Sequence, residues 1–342
     1  MEKIAAPQNI EPVHTSTITE FLLNSKDYRT GFDLNDFIHS RLNHNVFVSG
    51  ISGSGKSFLL SHLIRSSSSK TNFIFNFKPH DVYLSLGLEN SLVVDLSYNF
   101  ISPFTDFNYF LNAYLLAFKV DMSGIMASSV PSILYQYFSL YDGRMPLKQL
   151  NKLFLDQFPK NDVLGSTARV IASNMVLLFR DFRFSFPLSS FDKYKYIIFD
   201  FSKLSEVQKT FFLELVLSYS WNYIYGSSFD VSLFLDEVSR LLYLDISIFQ
   251  DIVRQIRAFG SLFVSSQNLS DVPPLLINQF DTICSFRTFL KSDFDLIDGY
   301  FFNPSFALSL KSLFHFLPDH SFYLLQRWLV KDINAYYYRV EL

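Results

Sequence analysis

The stretch Gly50-Ile51-Ser52-Gly53-Ser54-Gly55-Lys56-Ser57 constrains this chain more than any other. It fits G-x-x-x-x-G-K-[ST] and lies between the apolar run Asn45-Val46-Phe47-Val48-Ser49 and the helix-like Phe58-Leu59-Leu60-Ser61-His62-Leu63-Ile64-Arg65. That is the strand, turn and helix setting a phosphate-binding loop needs. Glycines at 50, 53 and 55 let successive backbone N–H groups point inward at phosphate oxygens, and the helix start adds unpaired N–H groups with partial positive charge. Gly50, Gly53, Ser54, Gly55, Lys56 and Ser57 are therefore the expected cradle. Lys56 would reach the β- and γ-phosphates of ATP, and the Ser57 hydroxyl would ligate Mg²⁺.

Length and composition narrow the setting. A chain of 342 residues with 49% hydrophobic residues can fill a large α/β core without staples. Lys plus Arg number 29 and Asp plus Glu 32, so the formal charge of −3 excludes a polycation that coats nucleic acid, and any such contact must be local. The single cysteine, Cys284, rules out a disulfide within the chain and a multi-cysteine zinc site. No apolar run reaches the roughly 18 to 20 residues of a membrane span, and Met1 to Pro7 lack a signal peptide's apolar core, so a soluble, cytoplasmic chain is expected. The 40 Phe and 19 Tyr against 11 Gly carry no functional reading.

Along the chain, residues 1 to 43 are polar and mixed, with Pro7 and Pro12 opposing an early helix; they read as a lead-in segment. Residues 44 to 342 then form the expected main domain. Apolar runs at 72–77, 92–96, 196–201, 231–237, 261–267 and 281–287 read as strands, and their alternation with helices predicts a parallel sheet. Between about 104 and 190 the pattern turns helical, at 109–118, 132–141, 147–158 and 167–179, separated by Pro131, Pro146 and Pro159. This predicts an α-helical insertion into the sheet. A long helix is expected at 205–223, and 321–326 and 335–340 read as strands that equally suit an edge hairpin.

The run Val231 to Leu235 ends in Asp236-Glu237. The first carboxylate can hold Mg²⁺ near Ser57, and the second can orient or deprotonate the attacking water. Without the upstream loop, the same pair reads as solvated acids at a strand end. Gln267, at the tip of the strand at 261–267, suits either an amide beside the γ-phosphate or a solvated strand end. Arg254 and Arg257 lie three apart on a helix expected at 246–259 that stops at Gly260, so they share a face. They read either as solvated surface charges or as arginines offered to another molecule. Arg287, at a strand end, is the lesser candidate, and no obvious second cation serves the γ-phosphate in cis.

Taken in order, these motifs resemble the FtsK/HerA superfamily of P-loop ATPases, especially its HerA-like branch with the type IV secretion and conjugation ATPases. Phe199-Asp200-Phe201-Ser202 resembles the family's strand ending in Asp-x-Ser, Leu235-Asp236-Glu237 its Walker B, Arg254 to Gly260 its arginine-bearing helix, and Val264-Ser265-Ser266-Gln267 its sensor strand. Asn278 to Ile283 with Arg287 is similar to the element that follows. One departure is Asn76-Phe77-Lys78, where the family often has an aspartate followed by lysine or histidine. The resemblance implies a RecA-like ATPase using ATP and Mg²⁺, assembled as a homo-oligomer, usually a hexameric ring. It implies an arginine presented by Arg254 or Arg257 to the neighbouring subunit. DNA translocation, of helicase-like or genome-packaging type, is the first expectation. Power for conjugative or type IV secretion export, with a partner of that system, is the second.

Overall fold

The computed structural model describes residues 45–78, 82–95, 99–120, 129–159, 162–179, 183–186, 191, 193–226, 230–239, 247–301, 321–327 and 333–339. The lead-in segment at 1–43 lies outside the described residues. The main strands are β1 (Val46–Ser49), β2 (Thr71–Asn76), β3 (Ser91–Asp95), β6 (Tyr196–Asp200), β7 (Val231–Leu235), β8 (Gly260–Ser266) and β9 (Thr282–Ser285), with β10 (Ser321–Arg327) and β11 (Ile333–Arg339) closing the chain. They make one sheet in the order β11-β10-β9-β1-β8-β7-β2-β6-β3. From β9 to β3 every pairing is parallel. The strands at 321–327 and 333–339 take the hairpin alternative, antiparallel to each other, and β10 runs antiparallel along β9.

Parallel strands with helices on both faces must be apolar on both faces. All of β1, β2, β6, β7 and β9 is buried, whereas the edge strand β3 is largely open. Alternation sorts the side chains into two cores. Val46, Val48, Ile74, Ile198, Phe234 and Phe263 face helix α1 (Lys56–Ser66), which contributes Leu59, Leu60, Leu63 and Ile64. The rings of Phe234 and Phe263 stack there at 4.5 Å. Phe47, Phe73, Phe75, Phe199, Leu233 and Val264 face the other way, into the larger core.

That larger core is roofed by helices. Between β3 and β6 the chain makes short strands β4 (Asn99–Ile101) and β5 (Arg183–Phe186), and between them helices α2 (Phe107–Ala117), α3 (Val130–Leu140), α4 (Leu147–Leu155) and α5 (Val163–Phe179). The four helices fall where the sequence periodicity predicts helix. The parallel pairing of β4 with β5 was not anticipated, because three- and four-residue strands are too short to show a period. Asp106 caps α2, its carboxylate accepting from the N–H groups of Asn108 and Tyr109.

Helix α6 (Glu206–Gly226) packs against α2 and α5. Every residue from Thr210 to Ser220 is buried, as expected of a helix covered on all sides. Phe211 meets Phe110 of α2 at 5.8 Å and Phe179 of α5 at 5.5 Å, and Tyr109 meets Tyr219 edge-on at 5.3 Å. The aromatic excess is thus spent on packing.

Glu214 sits inside this apolar helix, 2% exposed, with Oε2 lacking a hydrogen-bond partner. Burial raises its carboxyl to about 7. The folded chain therefore holds a proton that the unfolded chain releases above about 4.5. Its stability contribution is present below that pH and is lost as pH rises through about 7. Glu214→Gln is expected to stabilise the protein at pH 8 by about 3 kcal/mol and to flatten the fall in stability between pH 5 and pH 7. Urea unfolding across that range checks it; an unchanged slope in the variant would count against a buried, ionisable Glu214.

Candidate functional site

In an open parallel sheet, ligands bind beyond the carboxyl ends of the strands, where the chain order reverses. Here β1 leads through α1 across to β2, while β8 and β9 flank β1 on either side. The C-terminal ends of β1, β2, β7, β8 and β9 therefore surround the loop at residues 50 to 57. Gly50 has φ +147°, and a Cβ there would lie 2.5 Å from the Cβ of Phe286 and 3.0 Å from the Oγ of Ser54. The N–H of Ile51 donates to the carbonyl of Arg287 at 3.0 Å, tying the loop to the end of β9.

Lys56 opens α1 and is 7% exposed. Its Nζ donates to the carbonyls of Gly50 at 2.5 Å and Ile51 at 2.9 Å. Burial pulls its ammonium down to about 8, aided by Lys78 and opposed by Asp236 and Glu237. A lysine so desolvated gains most from an anion beside it. No side chain caps the N-terminus of α1, and the Oγ of Ser54, buried inside the loop, has no hydrogen-bond partner. Uncapped N–H groups and an orphaned buried hydroxyl fit an acceptor-rich ligand such as a polyphosphate.

Asp236 is 3% exposed and collects donors from several elements. Its Oδ2 accepts from the Ser57 hydroxyl at 2.9 Å and from the Tyr83 hydroxyl at 3.1 Å, and its Oδ1 accepts from the Ser265 hydroxyl of β8. The Glu237 N–H donates to Asp236 Oδ1 at 3.0 Å and to Ser265 Oγ at 3.2 Å. These bonds hold Glu237 at φ +59°, a left-handed conformation uncommon outside glycine. The Ser57 hydroxyl against the Asp236 carboxylate is a hard-oxygen pair of the kind that binds Mg²⁺ together with phosphate and water. Among the described residues no cluster of three or more His, Cys, Asp or Glu would hold a metal by itself.

The expected residues divide by place. Gly50, Gly53, Ser54, Gly55, Lys56, Ser57, Asp236 and Glu237 come together at one edge of the sheet, and Gln267 follows β8 at the same edge, exposed. Arg254 and Arg257 do not join them. Helix α7 (Ser247–Gln255) ends before Arg257, which falls in a 3-10 turn at Ile256–Ala258, a shorter helix than the expected 246–259. Gly260 is not the helix stop but the first residue of β8, where a Cβ would lie 1.9 Å from the carbonyl oxygen of Val231. Both arginines are exposed, and the seven residues of β8 place them roughly 20 Å from their own phosphate loop.

Sequence reasoning missed Tyr83, Ser265 and the pairing of Lys78. Lys78, just past β2, has its Nζ 2.7 Å from Glu237 Oε1 and 3.7 Å from Asp236 Oδ2. The departure at Asn76 has a physical reason. Its amide Nδ2 donates to Asp200 Oδ1 at 3.0 Å and to the Lys78 carbonyl at 3.1 Å, and its Oδ1 accepts from the Lys78 N–H at 3.4 Å. An aspartate could donate neither bond and would face Asp200 with a second negative charge.

Among solved structures, the chain is similar to VirB4 of Thermoanaerobacter pseudethanolicus, with TM-score 0.63 at 15% identity over 88% of this chain and 90% of that one. It is also similar to the plasmid coupling protein TrwB in complex with ADP and Mg²⁺, with TM-score 0.63 at 14% identity over 100% of this chain and 97% of that one. No protein-family model and no curated protein matches the sequence. The fold is α/β with a RecA-like sheet, in agreement with the resemblance that the motifs carry.

Gly50→Ala would force the crowded contact with Phe286 and a strained φ at once. It is expected to destabilise the protein by about 2 kcal/mol or more. A urea midpoint within error of wild type would show that the loop is not packed as described.

Proposed function

We propose that this chain is an ATPase that couples hydrolysis to DNA translocation, with residues 44–342 as its RecA-like motor domain and the segment at about 104–190 as a helical insertion. The observation that carries the reading is the hydrogen-bonded set Ser57, Asp236 and Ser265 beside the loop lysine, with Glu237 fixed next to it. In this reading Gly50, Gly53, Ser54 and Gly55 wrap the phosphates with backbone N–H groups, and Lys56 supplies charge opposite the β- and γ-phosphates. Ser57 and Asp236 hold Mg²⁺, which neutralises charge developing on the phosphates. Glu237 orients the attacking water and accepts its proton, and Gln267 hydrogen-bonds near the γ-phosphate.

The position of Arg254 and Arg257 favours a homo-oligomeric ring, a hexamer by the family resemblance. A strand's length from their own loop and exposed, they are placed to meet another subunit rather than their own nucleotide. The likeness to a conjugative coupling protein and to VirB4 favours a second reading, export in conjugation or type IV secretion. Among the described residues no helix is long and apolar enough to cross a membrane, which suits a cytoplasmic motor in either case.

Lys56→Ala is expected to abolish ATP hydrolysis, and Glu237→Gln to bind ATP yet turn over about 10² to 10⁴ times more slowly. Asp236→Asn should raise the Mg²⁺ concentration needed for turnover. Arg257→Ala should bind ATP and hydrolyse it slowly, by roughly 10³-fold or more, and mixing it with Lys56→Ala should restore part of the activity at mixed interfaces. A fully active Arg254/Arg257 double variant would refute the ring. Stimulation of the ATPase by double-stranded DNA tests the cargo: DNA stimulation supports translocation, and stimulation by a secretion partner alone supports export.

A further inference from the structure

The acids at the end of β7 pose an electrostatic problem that the function above does not address. Asp236 and Glu237 are adjacent, 3% and 6% exposed, and buried carboxylates need charge compensation as well as hydrogen bonds. Ser57, Tyr83, Ser265 and a backbone N–H give Asp236 neutral donors only. The loop lysine gives two of its three N–H donors to the carbonyls of Gly50 and Ile51 and acts on the acids through its charge rather than by contact. Lys78 reaches both acids, at 2.7 Å from Glu237 and 3.7 Å from Asp236, with its own side chain 39% exposed.

Its placement is built rather than incidental. The Asn76 side chain grips the Lys78 backbone at both N–H and carbonyl and is itself fixed by Asp200, so the stem starts from a set position and four carbons carry the ammonium to the acids. The oxygen that Lys78 approaches on Asp236, Oδ2, is the one that the Ser57 hydroxyl also meets. A divalent cation held between Ser57 and Asp236 and the Lys78 ammonium therefore contend for the same carboxylate face.

We propose that Lys78 is a resident counter-ion that stands in for the divalent metal. It neutralises the Asp236–Glu237 pair when no metal is bound, and metal entry displaces it and frees the Glu237 carboxylate. The inference rests on the reading of Ser57 and Asp236 as the metal-holding pair. Lys78 is accordingly a positioning residue for Glu237, and metal and lysine bind in competition.

The test is Mn²⁺ binding to the nucleotide-free chain, followed by the electron paramagnetic resonance signal of free Mn²⁺. Lys78→Gln should bind Mn²⁺ about tenfold more tightly than wild type, the effect of removing one charge at a half-exposed position. Lys78→Arg should match wild type, and so should Lys203→Gln, which removes a lysine paired with Asp95 at 2.7 Å elsewhere on the same sheet edge. Equal or weaker Mn²⁺ binding by folded Lys78→Gln would overturn the proposal. If Lys78→Gln does not fold alone, Mg²⁺ must restore its cooperative melting, and failure to do so would overturn the proposal equally. Wild-type ATPase activity is measured separately: its absence would sink the proposed function, whereas flat Mn²⁺ data in an active enzyme would sink only the counter-ion role.

Discussion

Asp236 is the point at which the site is joined. One carboxylate receives hydroxyls from the first turn of α1, from β8 and from the turn carrying Tyr83, and it also receives the N–H that sets the backbone of Glu237. The three hydroxyl bonds tie α1, the Tyr83 turn and β8 to the end of β7, so the relative heights of two strands, a helix and a turn are fixed where phosphate chemistry would occur. A net hydrogen bond is worth about 1 kcal/mol, and more to a charge, but leaving a buried carboxylate short of donors costs several times that. The polar end of the sheet is thus as demanding of exact packing as its apolar middle.

The strand order makes that joint possible. β8 lies between β1 and β7, pairing Leu235 with Val264 and Ser49 with Ser266, so Ser265 falls level with Asp236 and between the loop and the acids. Beneath it, Phe234 and Phe263 stack across the same two strands. The site therefore inherits its register from the apolar rungs below, since a slip of β8 by one residue would turn Phe263 and Ser265 together to the wrong face.

Much of this was legible in the sequence, and the rest was hidden for identifiable reasons. The strands announce themselves as apolar runs because both of their faces are covered, and the phosphate loop because glycine spacing and a lysine at a helix start rarely coincide otherwise. Tyr83 sits in a single 3-10 turn with no period to betray it, and Ser265 is one small hydroxyl among neighbouring serines. Lys78 was visible as a residue, but its pairing with Glu237 depends on β2 lying directly beside β7, which is a tertiary fact. Helix α8 (Pro274–Ile277) is too short to read, and in α9 (Lys291–Phe301) the sequence Asp298-Gly299 breaks the apolar spacing, leaving a weak pattern.

The small pairing of β4 with β5 has a consequence for how the chain folds. By bringing Asn99–Ile101 beside Arg183–Phe186, it closes the helical excursion at its base, so that β6 can find its place beside β3 as though the connection were short. Loop-closure entropy grows only slowly with length, and the excursion adds little to the difficulty of assembling the sheet. Yet α6 is buried all round from Thr210 to Ser220, and α2 and α5 both cover it. A chain cut free of the excursion would keep its topology and bare apolar surface: Ser247–Gln255 still covers part of this core, but nothing replaces α2 and α5.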